Sequence, residues 1–478
     1  MRPALVPMVL AAALAAGCAG APDYRRPPVD LPVAWRLEAP WRESRPNDMA
    51  AKGPWWQRFG DARLDALQEQ ALRGSQTLAV AAARLRQARA SVSALSAGQL
   101  PQVAAGARIA RQKISANRPL TNYNAQNYST VQDDFLLSLT VSYEADLSGR
   151  VASGIAAAEA SAEQSAADLE NTRLLLTAEL ATAYFNLRAL DTELDVLSRS
   201  IALQRRSLEV VKARHELGAT SGLDVAQQQA LLDTTLTQVD VLRRQRGLFE
   251  HAIATLTGTP APAFSLPVDV TALAPPEIPL GVPSDVLERR PDVAAAERAM
   301  AAANAQIGIA QAAFYPSITL APNIGLDSRS LPALFNSASL LWSIGVSATQ
   351  VLFDAGRTQA NVAFANAGYE ATVANYRRVV LTAMQEVEDG ISSLAALQSA
   401  YAQSRVAITS AQRVLELATS RYEGGVATSL DVITAQQSLL NSERQAAQLR
   451  GQQLLTSVFL VKALGGDWAG ASTLASKR

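Results

Sequence analysis

Residues that could perform catalysis or bind a metal are scarce in this chain of 478 residues. It has two histidines, His215 and His251, and one cysteine, Cys18. Metal sites and disulfide frameworks are built from clusters of these residue types, so we expect neither, and no cofactor. The sequence also has no GxxxxGK[ST] loop to cradle nucleotide phosphates. We therefore predict that the chain is not an enzyme and does not drive transport with nucleotides.

The chemistry available to Cys18 is acylation. Residues 1–17 combine a positive charge at Arg2, an apolar stretch and small residues directly before the cysteine. This pattern resembles a bacterial lipoprotein signal, in which cleavage leaves Cys18 as the acylated first residue; an ordinary signal peptide is the alternative. Ala19 follows, rather than the aspartate that retains lipoproteins at the inner membrane, so we expect anchoring in outer-membrane lipid. Each buried methylene of an acyl chain would contribute about 0.8 kcal/mol.

The charge balance of the chain narrows its possible partners. The sequence has 43 basic and 43 acidic residues, so we expect no nucleic-acid partner. After the N-terminus, no apolar run reaches the roughly 18 residues of a membrane-spanning helix.

Acidic and hydroxyl residues recur in a motif that the sequence contains twice. RHELGATSGLDV at 214–225 and RYEGGVATSLDV at 421–432 align at one constant offset. An internal repeat of this kind predicts two similar structural units. Seven prolines between the two copies rule out a helix there. The predicted segments are a signal peptide (1–17), an N-terminal extended segment (18–61), a first repeat (62–258), a Pro-rich linker (259–283), a second repeat (284–465) and a tail (466–478).

Very long helices must position the duplicated motif. From about 151 to 216 there is no proline, and apolar residues recur at spacings of three and four from Leu180 to Val211. This heptad pattern predicts a left-handed coiled coil, and it persists one repeat later from Val387 to Tyr422. A helix of about 65 residues would be nearly 100 Å long, more than an ordinary globular core needs. We interpret His215, which lies on the stripe, as a packing residue.

Four segments alternate between apolar and polar residues with a period of two, as β-strands do: about 100–112, 133–146, 316–327 and 339–352. Each is about long enough to cross a bilayer as a tilted strand. Two soluble hairpins with one face on a core are the alternative. Four strands cannot close a barrel alone, and open edges are not tolerated in lipid. The membrane interpretation therefore requires several copies, and three would supply twelve strands.

Several short motifs give the chain a resemblance to a known family. They are WWQRF at 55–59, ERRPDVAAAE at 288–297, FYPSI at 314–318 and VLFDAGR at 351–357. In this order, and with the duplication, they resemble the outer membrane factor family of TolC-like and OprM-like efflux channels, in its lipoprotein branch.

The resemblance covers essentially the whole mature chain and implies a mainly α fold with a β-barrel. Three chains would form a twelve-strand transmembrane barrel joined to a periplasmic α-helical coiled-coil barrel. It also implies a passive export conduit that works with a periplasmic adaptor and an inner-membrane transporter of the RND type. A periplasmic coiled-coil spacer without a pore is the alternative, although a spacer needs no strands with a lipid-facing side.

The resemblance places the gate of the channel at the second of two helix-hairpin tips, 217–224 and 424–431. Asp431 matches the position where family members place an acidic ring at the tunnel mouth, and Leu430 would add a hydrophobic constriction. Tyr422 matches a tyrosine that helps to lock the closed tip in some members.

Two positions depart from the family's lock. The arginine that partners it falls on Ala427 here, and a second acidic position falls on Thr434. We therefore expect fewer or different polar contacts in the closed state. For Asp224 we favour helix capping. The predicted tip residues, which would contact the adaptor, are Gly218, Thr220, Ser221, Asp224, Gly425, Thr428 and Ser429.

Overall fold

The computed structural model describes Tyr24 and residues 53–117, 130–278 and 289–466. The predicted signal peptide with Cys18, most of the predicted N-terminal segment and the tail beyond 466 lie outside the described residues. The chain divides into two compact units. Unit 1 includes Arg84–Ser165 and Ala295–Tyr376, and unit 2 includes the described parts of Val29–Ala83, Ala166–Ala294 and Arg377–Arg478.

The helices repeat with matching bounds in the two halves of the sequence. α3 and α6 have 67 residues each, α4 and α7 have 35 each, and both pairs are 207 residues apart. Among the described residues, no helix combines the length and the hydropathy needed to cross a bilayer. The helices are α1 (Ala62–Gly74), α2 (Gln76–Ser96), α3 (Arg150–Glu216), α4 (Gly222–Leu256), α5 (Pro291–Ala312), α6 (Arg357–Glu423) and α7 (Ser429–Ala463).

Local sequence explains where the shorter helices begin and end. Asp61 accepts bonds from the backbone N–H groups of Arg63 at 2.9 Å and Leu64 at 3.3 Å, which caps α1. Gly74 ends α1 beside Thr257, where an added Cβ would lie 2.5 Å from the Thr257 carbonyl oxygen. α5 starts at Pro291, because proline needs no N–H partner in a first turn.

The apolar stripe of α3 forms much of the core of unit 2. Leu180, Leu187 and Leu197 are almost fully buried, and Leu197 packs in one cluster with Leu242 of α4 and Leu440 of α7. Burying one such side chain contributes about 1.5–3 kcal/mol. The α6 stripe is buried only in its first part; from residue 397 onward its members are half-buried in the single chain.

A buried polar network in unit 2 fixes two segments against α3: the end of the N-terminal segment at Asp61 and the linker at residues 269–271. Arg188 donates to Asp269 at 2.9 Å and to the Thr271 carbonyl at 2.9 Å, and it also lies 3.4 Å from Asp61. The Tyr184 hydroxyl donates to Asp61 at 2.6 Å, and burial raises the pKa of Tyr184. Removing one partner of a buried ion pair typically costs about 3–5 kcal/mol, so this network strongly fixes both segments.

The strands of unit 1 form one antiparallel sheet. β2 (Thr130–Ala145) pairs on one side with β1 (Gln102–Ile114) along its whole length. On its other side β2 pairs with β4 (Asn323–Ser328) and then β3 (Ser317–Leu320). The last segments, β5 (Leu340–Ser343) and β6 (Val346–Thr349), pair with β4 and β3 respectively. Because β3 with β4, and β5 with β6, each occupy one position in the sheet, the sheet is four strands wide.

The two strands of the second repeat are interrupted, which the sequence pattern did not predict. The first of them breaks at Ala321 and Pro322, and the second breaks at Ile344 and Gly345. Proline has no N–H to donate to a ladder, so it favours such a break. Two bonds bridge the gap: Val141 N–H to the Pro322 carbonyl at 2.9 Å, and Ala321 N–H to the Gly345 carbonyl at 3.0 Å.

One face of the sheet is apolar and uncovered. Ala105, Leu139, Ile324 and Trp342 are register partners across all four strands. Leu139 is 43 % exposed, Ile324 50 % and Trp342 69 %. The alternative of soluble hairpins with this face on a core is therefore contradicted, because nothing in the described chain covers the row.

Candidate functional site

The two hairpin tips have the same backbone. Gly218 follows α3 and Gly425 follows α6, each with a φ of 73°. In the first tip Ala219 N–H donates to the Arg214 carbonyl at 2.8 Å, and in the second Val426 N–H donates to the Arg421 carbonyl at 2.9 Å. This six-to-one bond closes a Schellman ending, which requires a left-handed residue and favours glycine. The tips therefore reverse the chain by one shared mechanism.

Asp224 is the main hydrogen-bond acceptor of the first tip. It accepts hydrogen bonds from the hydroxyls of Thr220 at 2.8 Å and Ser221 at 2.7 Å, and from the Ser221 backbone N–H at 3.0 Å. Ser221 in turn accepts from the Asp224 N–H at 3.3 Å, which completes a capping box. The Ser221 and Thr220 bonds lower the pKa of Asp224 to about 2. The capping role favoured for Asp224 matches this geometry.

Asp431 holds the second tip with fewer partners. Its carboxylate accepts from the Thr428 N–H at 2.9 Å and the Thr428 hydroxyl at 2.8 Å, and these bonds lower its pKa. The residue that matches Thr220 is Ala427, which has no hydroxyl to add. Asp431 is exposed, so it combines a capping role with a carboxylate that faces solvent.

Leu430 and Thr434 lie with Asp431 at the start of α7, whereas Tyr422 lies at the end of α6. Leu430 is exposed, as a hydrophobic constriction requires. The Thr434 hydroxyl donates to the Leu430 carbonyl at 2.8 Å, so it bonds within its own helix. Ser429 is buried. Tyr422 is in the last turn of α6, and its hydroxyl is buried without a hydrogen-bond partner in the part of the chain that the structure describes.

Two tip contacts were not predicted from the sequence. Arg214 places its guanidinium carbon 4.5 Å from the centre of the Tyr422 ring. His215 Nδ1 lies 2.9 Å from the Thr220 carbonyl and must carry its proton to donate there, so His215 does more than pack. Both residues stood in the repeated motif, but their partners depend on geometry that the motif does not encode. Within the described ranges, no three His, Cys, Asp or Glu side chains are grouped to hold a metal ion.

Comparisons with known proteins agree with this architecture. The family model described as outer membrane efflux protein matches residues 67–259 and 282–466. The chain is 31 % identical over 464 residues to the pyoverdine export outer membrane protein OpmQ of Pseudomonas aeruginosa, covering 96 % of each chain. It is 33 % identical over 466 residues to the toluene efflux pump outer membrane protein TtgF of Pseudomonas putida, covering 96 % of this chain and 95 % of that one.

Solved channel structures share the fold. The outer-membrane channel OprN superposes with a TM-score of 0.85 at 29 % identity, over 94 % of this chain and all of that one. The open state of the Neisseria gonorrhoeae MtrE channel gives 0.81 at 28 % identity, over 94 % and 98 %. The predicted fold class and the predicted role as an outer-membrane efflux channel are thereby confirmed. The chain belongs to the outer membrane efflux protein family.

Proposed function

We propose that three copies of the chain form a passive duct through the outer membrane, with the hairpin tips in the periplasm. The observation that supports this most directly is the sheet of unit 1. Its apolar row is exposed, and in the described chain β1 on one side and β5 with β6 on the other have no outer neighbour. Lipid would cover the apolar face, and adjacent copies would pair the edges, as a bilayer requires.

The duct acts with a periplasmic adaptor and an inner-membrane transporter of the RND type, which supply the energy. The names of two relatives refer to different cargo, pyoverdine in one and toluene in the other. Because similar chains are named for such different cargo, we infer that the pump, and not the duct, selects the substrate.

The second tip forms the gate in this proposal. Three Asp431 carboxylates around one axis would attract cations, and Leu430 would narrow the opening beside them. Tyr422 and Thr434 complete the constriction. Rings of like charge raise one another's pKa, which opposes the local bonds from Thr428.

The adaptor binds the exposed tips. Of the predicted tip residues, Gly218, Ser221, Gly425 and Thr428 are exposed, Thr220 and Asp224 are half-buried, and Ser429 is buried. The proposed contact residues are Gly218, Thr220, Ser221, Asp224, Gly425, Thr428 and Ser429.

Conductance of the purified protein in planar bilayers tests the duct and the gate. We expect discrete conductance steps from a trimer, and we expect Asp431→Ala to increase the conductance and to reduce the preference for cations. A monomeric product without conductance would contradict the duct. Unchanged conductance and selectivity in Asp431→Ala would contradict the gate alone.

Acylation of Cys18 has its own test. Metabolic labelling with radioactive palmitate should mark the wild-type protein and leave Cys18→Ser unmarked. Because Cys18 is the only cysteine in the sequence, label that persists in the variant would place the lipid elsewhere and refute the anchor.

A further inference from the structure

Arg214 joins the two hairpin tips within one chain. Besides stacking on the Tyr422 ring, its guanidinium donates to the Tyr422 carbonyl at 3.2 Å and to the Glu423 carbonyl at 3.5 Å. Arg214 lies in the last turn of α3, whereas both carbonyls belong to the last turn of α6. One side chain therefore contacts the second tip at a ring face and at two backbone atoms.

These contacts suit an arginine for three physical reasons. The last carbonyls of a helix have no partner inside the helix, so a donor from outside satisfies them. A positive charge at that end also complements the helix dipole. The guanidinium is planar, so it can stack on an aromatic ring while its N–H groups remain free to donate in the plane. Lysine could supply the charge but not the stacked, forked geometry.

The repeat shows that this arrangement exists in one direction only. The residue that matches Arg214 is Arg421, which is exposed and acts on Asp431 through its charge. The residue that matches Tyr422 is His215, which bonds to the Thr220 carbonyl of its own tip. The stacked arginine–tyrosine contact between the tips therefore has no counterpart in the opposite direction.

The hydroxyl of Tyr422 takes no part in this contact. It is buried and has no hydrogen-bond partner among the described residues, so the ring contributes through its face. This separates the contact from a lock made by the tyrosine hydroxyl. It also compensates for Ala427, which leaves the second tip without an arginine of its own at that position.

We propose that Arg214 is the positioning residue that clamps the second tip to the first and holds the gate closed. The proposal rests on the gate function assigned above to the second tip. Arg214 need not touch the cargo. It acts by fixing the last turn of α6, and through that turn the positions of Leu430 and Asp431 a few residues later.

Single-channel recording on the full-length protein tests the clamp. Arg214→Gln removes the charge and the stack and should raise the open probability at least about fivefold, which is about 1 kcal/mol at 1.4 kcal/mol per tenfold. Tyr422→Leu should do the same, while Tyr422→Phe keeps the ring face and should raise the open probability much less than Tyr422→Leu. Arg214→Lys should fall between wild type and Arg214→Gln. The double variant Arg214→Gln/Tyr422→Leu should add little to either single change.

Arg421→Gln is the matched control, because it removes the same charge from the same turn of the other repeat. Because Arg421 acts on Asp431 only through its charge, we expect a clearly smaller increase in open probability from Arg421→Gln than from Arg214→Gln. An equal increase from Arg421→Gln would overturn the clamp, since any cation near the tips would then suffice. A Tyr422→Phe effect as large as that of Tyr422→Leu would overturn it too, because the hydroxyl would then form the lock.

Thermal melting of the trimer separates positioning from mere stability. If Arg214→Gln lowers the melting temperature but leaves the open probability unchanged, its role is structural and the clamp is wrong. If Asp431→Ala alters conductance while Arg214→Gln does not, the gate stands and the clamp alone fails. If the wild-type protein forms no channel, the duct itself is refuted.

Discussion

The two hairpin tips share a backbone but differ in how their side chains are satisfied. In the first tip Thr220, Ser221 and His215 all bond within the tip, and Asp224 accepts three hydrogen bonds. In the second tip Asp431 accepts two, both from one residue. Arg214 of the first repeat also contacts the second tip.

This difference shows what a duplication preserves and what it leaves free to diverge. Helix length, the glycine turn and the capping aspartate are set by local backbone rules, so both copies keep them. Side-chain partners across the tips are set by neighbours that the two copies do not share. In the gate proposed above, the second tip is the one expected to move when the Arg214 contact is lost.

The largest effect should come from the feature that the tips share. Replacing Gly218 or Gly425 with alanine forces a left-handed conformation on a residue with a Cβ, at about 1–2 kcal/mol. We expect the two variants to lower the melting temperature of the trimer equally, by circular dichroism. Clearly unequal shifts would mean that the left-handed glycine does not contribute equally to stability in the two tips, which would contradict a shared turn mechanism.

A reciprocal exchange should transfer the difference between the tips. Thr220→Ala removes one hydroxyl from Asp224 and should cost about 0.5–1.5 kcal/mol, the typical net contribution of a hydrogen bond. Ala427→Thr should give Asp431 that missing donor and lower its pKa further. NMR titration of the two carboxyl groups, with selective labelling, measures both changes. If Ala427→Thr leaves the Asp431 pKa where it was, the second tip differs in backbone and not only in side chains.

The smallest effect is the pH dependence of the tips. Hydrogen bonds hold the pKa of Asp224 near 2, below its ordinary value of 3.8, so its contribution is complete above that ordinary value. The contribution is lost as the pH falls through 2. The local bonds of Asp431 lower its pKa in the same sense, whereas a ring of three carboxylates would raise it.

Hydrogen exchange of the tip amides between pH 5 and pH 2 shows which of Asp224 and Asp431 is protonated first. The amides around Ser221 should keep their protection until the pH approaches 2. Those around Thr428 should lose protection first if the ring forms. Loss at the same pH in both tips would argue against a close ring of Asp431 carboxylates.

The helices could be predicted from the sequence because their determinants are local and repeated. The heptad stripe and the absence of proline defined α3 to within a residue of its observed start at Arg150. The strands were predicted less completely than the helices. Period-two alternation found both strands of the second repeat but not their interruptions, since a break at Pro322 or Gly345 depends on ladder bonding with a neighbour.

The candidate site was predictable in position but not in contacts. The duplicated motif identified both tips and the capping role of Asp224. The stack of Arg214 on Tyr422 joins residues 208 positions apart, and no periodicity within one repeat can report on such a pair. The Arg188 network in unit 2 went unpredicted for the same reason, because it joins three separate segments: α3, the segment before α1, and the linker at residues 269–271.

The unlike borders of the four-strand sheet constrain any ring that several chains could make. One border of the sheet is the continuous β1, and the other is the interrupted pair of β5 and β6. Two copies that met through the same border would leave their other borders unpaired. Head-to-tail joining instead matches each border to its complement, and it closes into a ring when the rotation between copies divides a full turn evenly. An even strand count per chain also keeps every seam antiparallel, so each junction can use the same bonding pattern as the interior of the sheet.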